Sequence, residues 1–177
     1  FFTYNYIEQS LHCLNIYTMT SQNPFVDTVQ QSEQNFIAAT QGQFKLIRLV
    51  GKGSYGSVFE AISLEHNCLN IPPNTQLAIK LVRGVLSGSG ITAKRLLREV
   101  ALLRNLHHNN LIKFYGLIPP IDINSLKDLY MVFEFVVTDL HKILHSSQAM
   151  TTKHVQYILY QMLIGLKQMH DRGIVHR

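Results

Sequence analysis

The amino-acid sequence predicts an α+β fold in which a five-stranded antiparallel sheet with one helix is followed by further helices. A glycine-rich turn at residues 51–56 lies between two runs of β-branched and aromatic residues, which indicates a hairpin. Residues 77–82 are apolar apart from one lysine, which indicates a further strand. Apolar residues recur every three or four positions over 92–105 and 152–172, which indicates two amphipathic helices.

The glycine-rich segment carries most of the functional information. Glycines at positions 51, 53 and 56 let the backbone lie against a phosphate chain without interference from Cβ atoms, and N–H groups remain to bind the oxygens. The same spacing opens dinucleotide-binding folds, but there the third glycine leads into a helix. Here Gly56 is followed by Ser57-Val58-Phe59-Glu60, which is typical of a strand. The segment is therefore predicted to be a flap over phosphates, between strands 44–50 and 57–62.

The third strand contains a lysine that needs a partner. Successive residues of a strand point to opposite faces. One face therefore carries Leu77, Ile79 and Leu81, and the other carries Ala78, Lys80 and Val82. Both faces are apolar except at the lysine. Removing an ammonium group from water costs several kcal/mol unless an anion or hydrogen bonds replace the water. A phosphate and a carboxylate would both serve as the partner of Lys80.

The remaining elements follow in chain order. Asn and Pro residues mark a loop at 65–74, which we expect to face solvent. A helix at 92–105 is followed by strands at 111–116 and 129–133. The last helix, 152–172, stops before Gly173 and must cover a core with its apolar stripe. That stripe comprises Val155, Ile158, Leu159, Met162, Leu163, Leu166 and Met169.

Glu99 borders the apolar stripe of the first helix. It lies three residues after Leu96 and four before Leu103, so it does not point wholly into water. A surface ion pair with Arg95 is the alternative, and it would contribute only about 0.2–0.5 kcal/mol. Pairing with Lys80 is the preferred interpretation because it accounts for two polar residues at once.

These residues resemble the eukaryotic protein kinases, whose signature is a glycine-rich loop, a lysine in Val-Ala-Ile-Lys on the third strand and a glutamate on the next helix. The resemblance extends from about Phe44 to Arg177. It implies a protein-kinase-like fold with an N-lobe sheet, one helix and the first helices of a truncated helical C-lobe. Three segments are similar to the mitogen-activated protein kinase branch: Leu97-Arg98-Glu99-Val100, His108-x-Asn110 with Pro119-Pro120, and Val137-Thr138-Asp139-Leu140-His141-Lys142.

The resemblance implies an ATP site. Lys80 would hold the α- and β-phosphates and Glu99 would hold Lys80; these are the two catalytic residues it places in the chain. Phe133 matches the gatekeeper at the back of the pocket and is equally compatible with a core position. Asp139 matches a residue that faces the ribose, and a helix N-terminal acid is the alternative. The implied ATP-binding set is Val50, Gly51, Lys52, Gly53, Ser54, Tyr55, Gly56, Ser57, Val58, Ala78, Lys80, Phe133, Glu134, Val136 and Asp139.

The resemblance also implies a boundary at the end of the chain. His176-Arg177 begins the kinase motif His-Arg-Asp, so the catalytic aspartate and the Mg²⁺ ligands are expected past Arg177. Residues 1–40 are expected to be a flexible extension, in which Met19 is the first plausible start. Residues 41–177 form the kinase domain, divided into an N-lobe (about 41–135), a hinge (about 134–140) and a partial C-lobe (141–177).

The expected function is that of a serine/threonine kinase. The parent would transfer the γ-phosphate of ATP, with Mg²⁺, to protein substrates and would respond to upstream kinases, whereas the fragment itself would be inactive. The alternative is a non-catalytic, truncated kinase-like module that binds nucleotide or acts by interaction alone.

Composition argues against several other classes. The net charge is +5, but the 16 Lys and Arg residues are scattered, unlike a nucleic-acid footprint. Cys13 and Cys68 are too few for a disulfide framework or a zinc cluster, and no His pair combines metal spacing with carboxylate or thiolate neighbours. No apolar run approaches the roughly 18 residues of a membrane helix. We therefore expect no nucleic-acid or membrane partner, no metal site within the chain, and a cytoplasmic or nuclear location.

Overall fold

The computed structural model describes residues 34, 36–53, 56–86, 90–121 and 127–176. It contains a five-stranded antiparallel sheet in the order β1-β2-β3-β5-β4, which confirms the predicted α+β architecture. The strands are β1 (Phe44–Gly53), β2 (Gly56–Ser63), β3 (Gln76–Val82), β4 (Phe114–Ile118) and β5 (Leu129–Glu134). The helices are α1 (Ile91–Asn105), α2 (Leu140–Leu144) and α3 (Thr152–His170). Residues 36–40 are also helical.

The β1–β2 hairpin has an uneven register. Gly53 lies opposite Gly56 at the turn, but the pairing shifts between Leu46 and Arg48 and again between Leu49 and Gly51. Each shift adds one unpaired residue to β1, as in a β-bulge, and bulges bend a strand and increase its twist. The hairpin is therefore curved along the length of the sheet.

The alternation predicted for β3 separates two apolar cores. Leu77, Ile79 and Leu81 belong to a core on the side that we call the closed face, whose buried members also include Phe36, Phe44, Phe59, Ala61, Ile71, Ile118, Tyr130 and Val132. Ala78 and Val82 belong to a core on the side that we call the helix face, together with Val85, Leu96, Phe114, Leu129, Met131 and Phe133. Burial of each large apolar side chain contributes about 1.5–3 kcal/mol, so both cores hold the sheet together.

The residues before β1 correct one prediction. Phe36 and Thr40 are fully buried, and the Phe36 ring lies 6.0 Å from that of Phe59 and 5.6 Å from that of Tyr130, measured between centroids. The interpretation of residues up to 40 as a flexible extension is therefore wrong for 36–40, because an aromatic side chain at Phe36 closes the core. The remaining residues of that extension, 1–33 and 35, lie outside the described residues.

The loop at 65–74 is also more closely packed than the sequence predicts. Ile71 is only 3% exposed and joins the closed-face core. The Asn67 amide donates to the carbonyls of Leu64 (3.0 Å) and Ile71 (2.8 Å), and its oxygen accepts the Ile71 N–H (2.9 Å). The expectation that this loop faces solvent is wrong at Ile71, because Asn67 folds the chain back onto the sheet.

Hydrogen bonds account for two of the element boundaries that differ from the predicted ones. Strand β4 begins at Phe114, not at residue 111, because the Leu111 N–H donates to the His108 carbonyl (3.0 Å) in a turn. Helix α3 ends at His170 instead of residue 172, and the Ile174 N–H donates back to the Met169 carbonyl (3.0 Å) across the end of the helix.

Helix α3 covers its neighbours with only part of its apolar stripe. Gly165 and Met169 are buried, whereas Val155, Leu159 and Leu163 are each about half exposed. Gly165 fits against the chain at Asn110, where a Cβ atom would lie 3.2 Å from the Asn110 carbonyl oxygen. Within the described part of the chain, no helix has both the length and the apolar character to span a membrane.

Candidate functional site

Gly56 is required by the approach of two strands. Its φ is +149°, and a Cβ atom built there would lie 1.7 Å from the carbonyl oxygen of Leu81. Any L-residue with a side chain would therefore displace β2 from β3. The sequence pattern explains this glycine only by phosphate contact, and the structure adds a reason that lies within the sheet. The turn residues Ser54 and Tyr55 lie outside the described residues, whereas Gly51, Lys52 and Gly53 are on β1.

Three other residues of the predicted ATP-binding set flank this hairpin. Val50 is the extra residue of the second β1 shift. Ser57 is buried opposite Leu81, with its side chain on the closed face, so a contact of Ser57 with a ligand on the helix face would have to come from its main chain. Val58 lies opposite Lys80 and packs against the helix-face core.

Lys80 and Glu99 form an ion pair. The Lys80 Nζ atom lies 2.7 Å from Glu99 Oε1, and the two side chains are 24% and 33% exposed. Leu96 is buried one turn before Glu99, which fixes the side of α1 that faces the sheet. Among the described residues, the alternative pairing of Glu99 with Arg95 is absent. The carboxylate therefore holds the ammonium group against the sheet while part of the lysine remains open to a further ligand.

The surroundings of Lys80 form an apolar surface with a cation at one end. Val58 and Met131 lie on the neighbouring strands directly opposite Lys80, and Ala78 lies opposite Phe133. Ala78, Met131 and Phe133 are all buried on the helix face. An apolar surface suits a planar ring, and an ammonium group suits a phosphate. This donor set fits the charged and apolar parts of a nucleotide.

The segment after β5 combines packing and capping. The Phe133 ring packs against that of Phe114, with centroids 5.2 Å apart, so the core position proposed for Phe133 is present. Val136 is half-buried in the link between β5 and α2. Asp139 is the N-cap of α2, and its Oδ1 accepts the Lys142 N–H at 2.8 Å. The helix N-terminal alternative for Asp139 therefore describes its contact in this structure.

Two polar contacts near the site were not predicted. Arg48 Nε lies 2.7 Å from Glu60 Oε2. This buried oxygen accepts no hydrogen bond among the described residues, so its contact with Arg48 is an ion pair without hydrogen-bond geometry. The Glu134 carboxylate accepts the Lys113 N–H at 2.7 Å. No pattern in the sequence indicates either contact, because the first depends on the bulge at Val50 and the second on the exact start of β4.

The described residues bring no set of metal ligands together, and two groups outside the site have raised pKa values. Within the described ranges, no group of three or more His, Cys, Asp and Glu side chains could hold a metal ion. Burial raises the pKa of Tyr130, and the charge of Asp128 raises it further, while Arg83 lowers it. Burial also raises the pKa of the Cys68 thiol. Tyr130 belongs to the closed-face core, on the other side of the sheet from Lys80.

Comparison with known proteins identifies the family. Residues 44–177 match the family described as protein kinase domain. The chain belongs to the protein kinases. Its curated relatives include mitogen-activated protein kinase 1 of Oryza sativa subsp. japonica, 42% identical over 128 residues (72% of this chain and 30% of the relative). They also include the mitogen-activated protein kinase homolog NTF6 of Nicotiana tabacum, 40% identical over 143 residues (81% of this chain and 36% of the relative).

A solved kinase structure shares the fold. A MAP kinase from Leishmania major superposes with a TM-score of 0.68 and 28% sequence identity, covering 85% of this chain and 45% of that one. The predicted kinase-like fold and the resemblance to the MAP kinase branch are thereby confirmed. This kinase chain spans about a third of the length of the two relatives above.

Proposed function

We propose that the longer protein carrying this kinase segment is a MAP kinase-like serine/threonine kinase. It would transfer the γ-phosphate of ATP to protein substrates and would itself respond to upstream kinases, in the cytoplasm or nucleus. The observation that carries the proposal is the Lys80–Glu99 ion pair at 2.7 Å, on the face of the sheet to which the glycine hairpin contributes Val58. The relatives named MAP kinases support the choice of branch.

The chemistry depends mainly on positioning and charge. Phosphoryl transfer proceeds through a loose transition state, so the protein acts by orienting the phosphates and stabilising the charge that develops on them. Lys80 would bind the α- and β-phosphates, and Glu99 would keep the ammonium group extended toward them. Main-chain N–H groups of the glycine hairpin would bind the phosphate oxygens. Ala78 and Val58 would contact the base.

Mg²⁺ does not fit any group of described residues. Protein kinases in general use ATP with Mg²⁺, which neutralises charge on the phosphates. No suitable set of acidic side chains is present in the described ranges, so these residues alone would not hold the metal. We propose that the 177-residue chain alone binds ATP and transfers no phosphate. An interaction module without catalysis is the alternative, and it predicts no transfer by the longer protein either.

The test is a phosphotransfer assay on the longer protein. Labelled ATP and a library of serine-, threonine- and tyrosine-containing peptides would be supplied to the wild type and to Lys80→Met, which keeps the apolar stem and removes the charge. We expect transfer to serine and threonine, reduced by about 100-fold or more in Lys80→Met because the phosphates lose their cation. Lys45→Met, an exposed lysine on β1, is the matched control and should retain activity. Equal turnover in both variants would rule out the role of Lys80.

A further inference from the structure

Glu134 and Lys113 are joined by two hydrogen bonds at the point where β5 ends. The Glu134 N–H donates to the Lys113 carbonyl at 3.0 Å. The Lys113 N–H donates to the Glu134 side chain, at 2.7 Å from Oε1. The pair comes directly after Phe114 opposite Phe133, the first residue pair of the β4–β5 ladder. The contact therefore lies at the junction between the sheet and the link to α2.

The second of these bonds departs from a regular ladder. In a hydrogen-bonded antiparallel pair, the two residues exchange both main-chain N–H···O bonds. Here one bond is made in that way, but the return bond from the Lys113 N–H goes to the carboxylate. A charged acceptor forms a shorter and stronger bond than a neutral carbonyl does. The Glu134 carboxylate therefore accepts the hydrogen bond that the Glu134 main-chain carbonyl would accept in a continuing strand.

We propose that the Glu134 carboxylate is a positioning residue for nucleotide recognition. By taking the Lys113 N–H, it ends the ladder at Glu134 and sets the direction of the main chain that continues to Val136. The proposal rests on the proposed function together with the hinge that the kinase resemblance implies, whose main chain at residues 134–136 would bind the adenine ring. The base-specific part of nucleotide binding then depends on a side chain that faces away from the nucleotide and contacts β4.

Neighbouring contacts hold the Lys113 side of the junction in place. The Lys113 Nζ atom lies 4.6 Å from the centre of the Tyr115 ring, a cation–π contact with the side chain two residues further along the chain. Phe114, the residue after Lys113, packs its ring against that of Phe133. Because Lys113 is fixed on one side, its N–H remains directed at residue 134. When the carboxylate is removed, we expect this N–H to recruit the main-chain carbonyl of residue 134 and draw it away from the base.

The experiment measures base selectivity and not only affinity. Binding of ATP and ITP to the 177-residue chain would be titrated by calorimetry for the wild type, Glu134→Ala and Glu134→Gln. ITP has the same phosphates and ribose as ATP but carries an oxo group in place of the 6-amino group. For Glu134→Ala, we expect ATP to bind about tenfold more weakly and ITP to change less than about twofold, so that the ATP preference is lost. Glu134→Gln keeps an oxygen acceptor and should restore most of that preference.

Two control variants distinguish a loss of base recognition from a general loss of nucleotide binding. Glu65→Ala removes an exposed acid elsewhere and should leave both affinities unchanged. Lys80→Met should weaken ATP and ITP to a similar extent because it acts on the phosphates. An unchanged ATP-to-ITP ratio in Glu134→Ala, or an equal loss of both nucleotides, would overturn the positioning role while leaving the proposed function intact. A wild-type chain that binds neither nucleotide would overturn nucleotide binding by this chain and the inference with it.

Discussion

The two faces of the central sheet have different chemical character, although β3 contributes equally to both. On the closed face, Leu77, Ile79 and Leu81 lie in an apolar core covered by residues 36–40 and by the loop at 65–74. On the helix face, Ala78 and Val82 are buried in the same way, but Lys80 between them is charged and partly open. We propose that this difference separates stability from ligand binding along one strand, and variants on the two faces test that separation.

The largest expected effect concerns stability on the closed face. Ile79→Ala removes a fully buried side chain, and such truncations cost about 2–5 kcal/mol of unfolding free energy. Denaturant unfolding of the 177-residue chain measures this loss. Ile47→Ala, at a position that is 44% exposed, is the control and should change stability by less than about 0.5 kcal/mol. Similar losses for the two variants would show that the closed face is not a packed core.

A smaller effect is expected at Gly56, where the hairpin lies against β3. Gly56→Ala combines an unfavourable φ with a close contact to the Leu81 carbonyl, whereas Gly42→Ala has the unfavourable φ with open space around it. Backbone strain alone costs about 1–3 kcal/mol. We therefore expect a greater loss of unfolding free energy for Gly56→Ala than for Gly42→Ala. Equal losses would mean that β2 can move away from β3 at no cost.

The smallest effect is a pH dependence on the closed face. The pKa of Tyr130 is raised above its ordinary value of 10.0, so the folded state favours the neutral phenol. This contribution is fully present below pH 10 and is lost as the pH rises through the raised pKa, with a slope of at most about 1.4 kcal/mol per pH unit. Tyr130→Phe should flatten the fall in stability above pH 10, relative to Tyr160→Phe at an exposed position. If stability falls as steeply above pH 10 in Tyr130→Phe as in Tyr160→Phe, Tyr130 is not the group responsible for the pH dependence.

Much of the helix face could be predicted because its signals are local. The two-residue period of β3 isolates Lys80, and the helical period of α1 places Glu99 beside Leu96; both features depend only on neighbours in the sequence. Family resemblance then pairs the two residues. The ion pair in the structure joins the same two side chains.

The parts that sequence reasoning missed depend on contacts between distant segments. Regular pairing from Gly53 and Gly56 would place Arg48 opposite Ala61, and only the shift between Leu49 and Gly51 brings it opposite Glu60. The burial of Phe36 depends on rings from β2 and β5, and no period in residues 1–40 indicates it. The contact between Glu134 and Lys113 likewise depends on where β4 begins. Bulges and chain ends of this kind leave no periodic pattern in a sequence.

The central claim is that Lys80 and Glu99 act as one unit in nucleotide binding, separate from the core that stabilises the sheet. The most direct measurement is the affinity of the 177-residue chain for ATP in Lys80→Met, Glu99→Gln and the double variant, with thermal unfolding followed in parallel. We expect each single change to weaken binding by about tenfold or more, and the double variant to bind no more weakly than Lys80→Met, because Glu99 acts through the lysine. The midpoint of unfolding should change little. Independent, additive losses, or full affinity in Lys80→Met, would contradict the account.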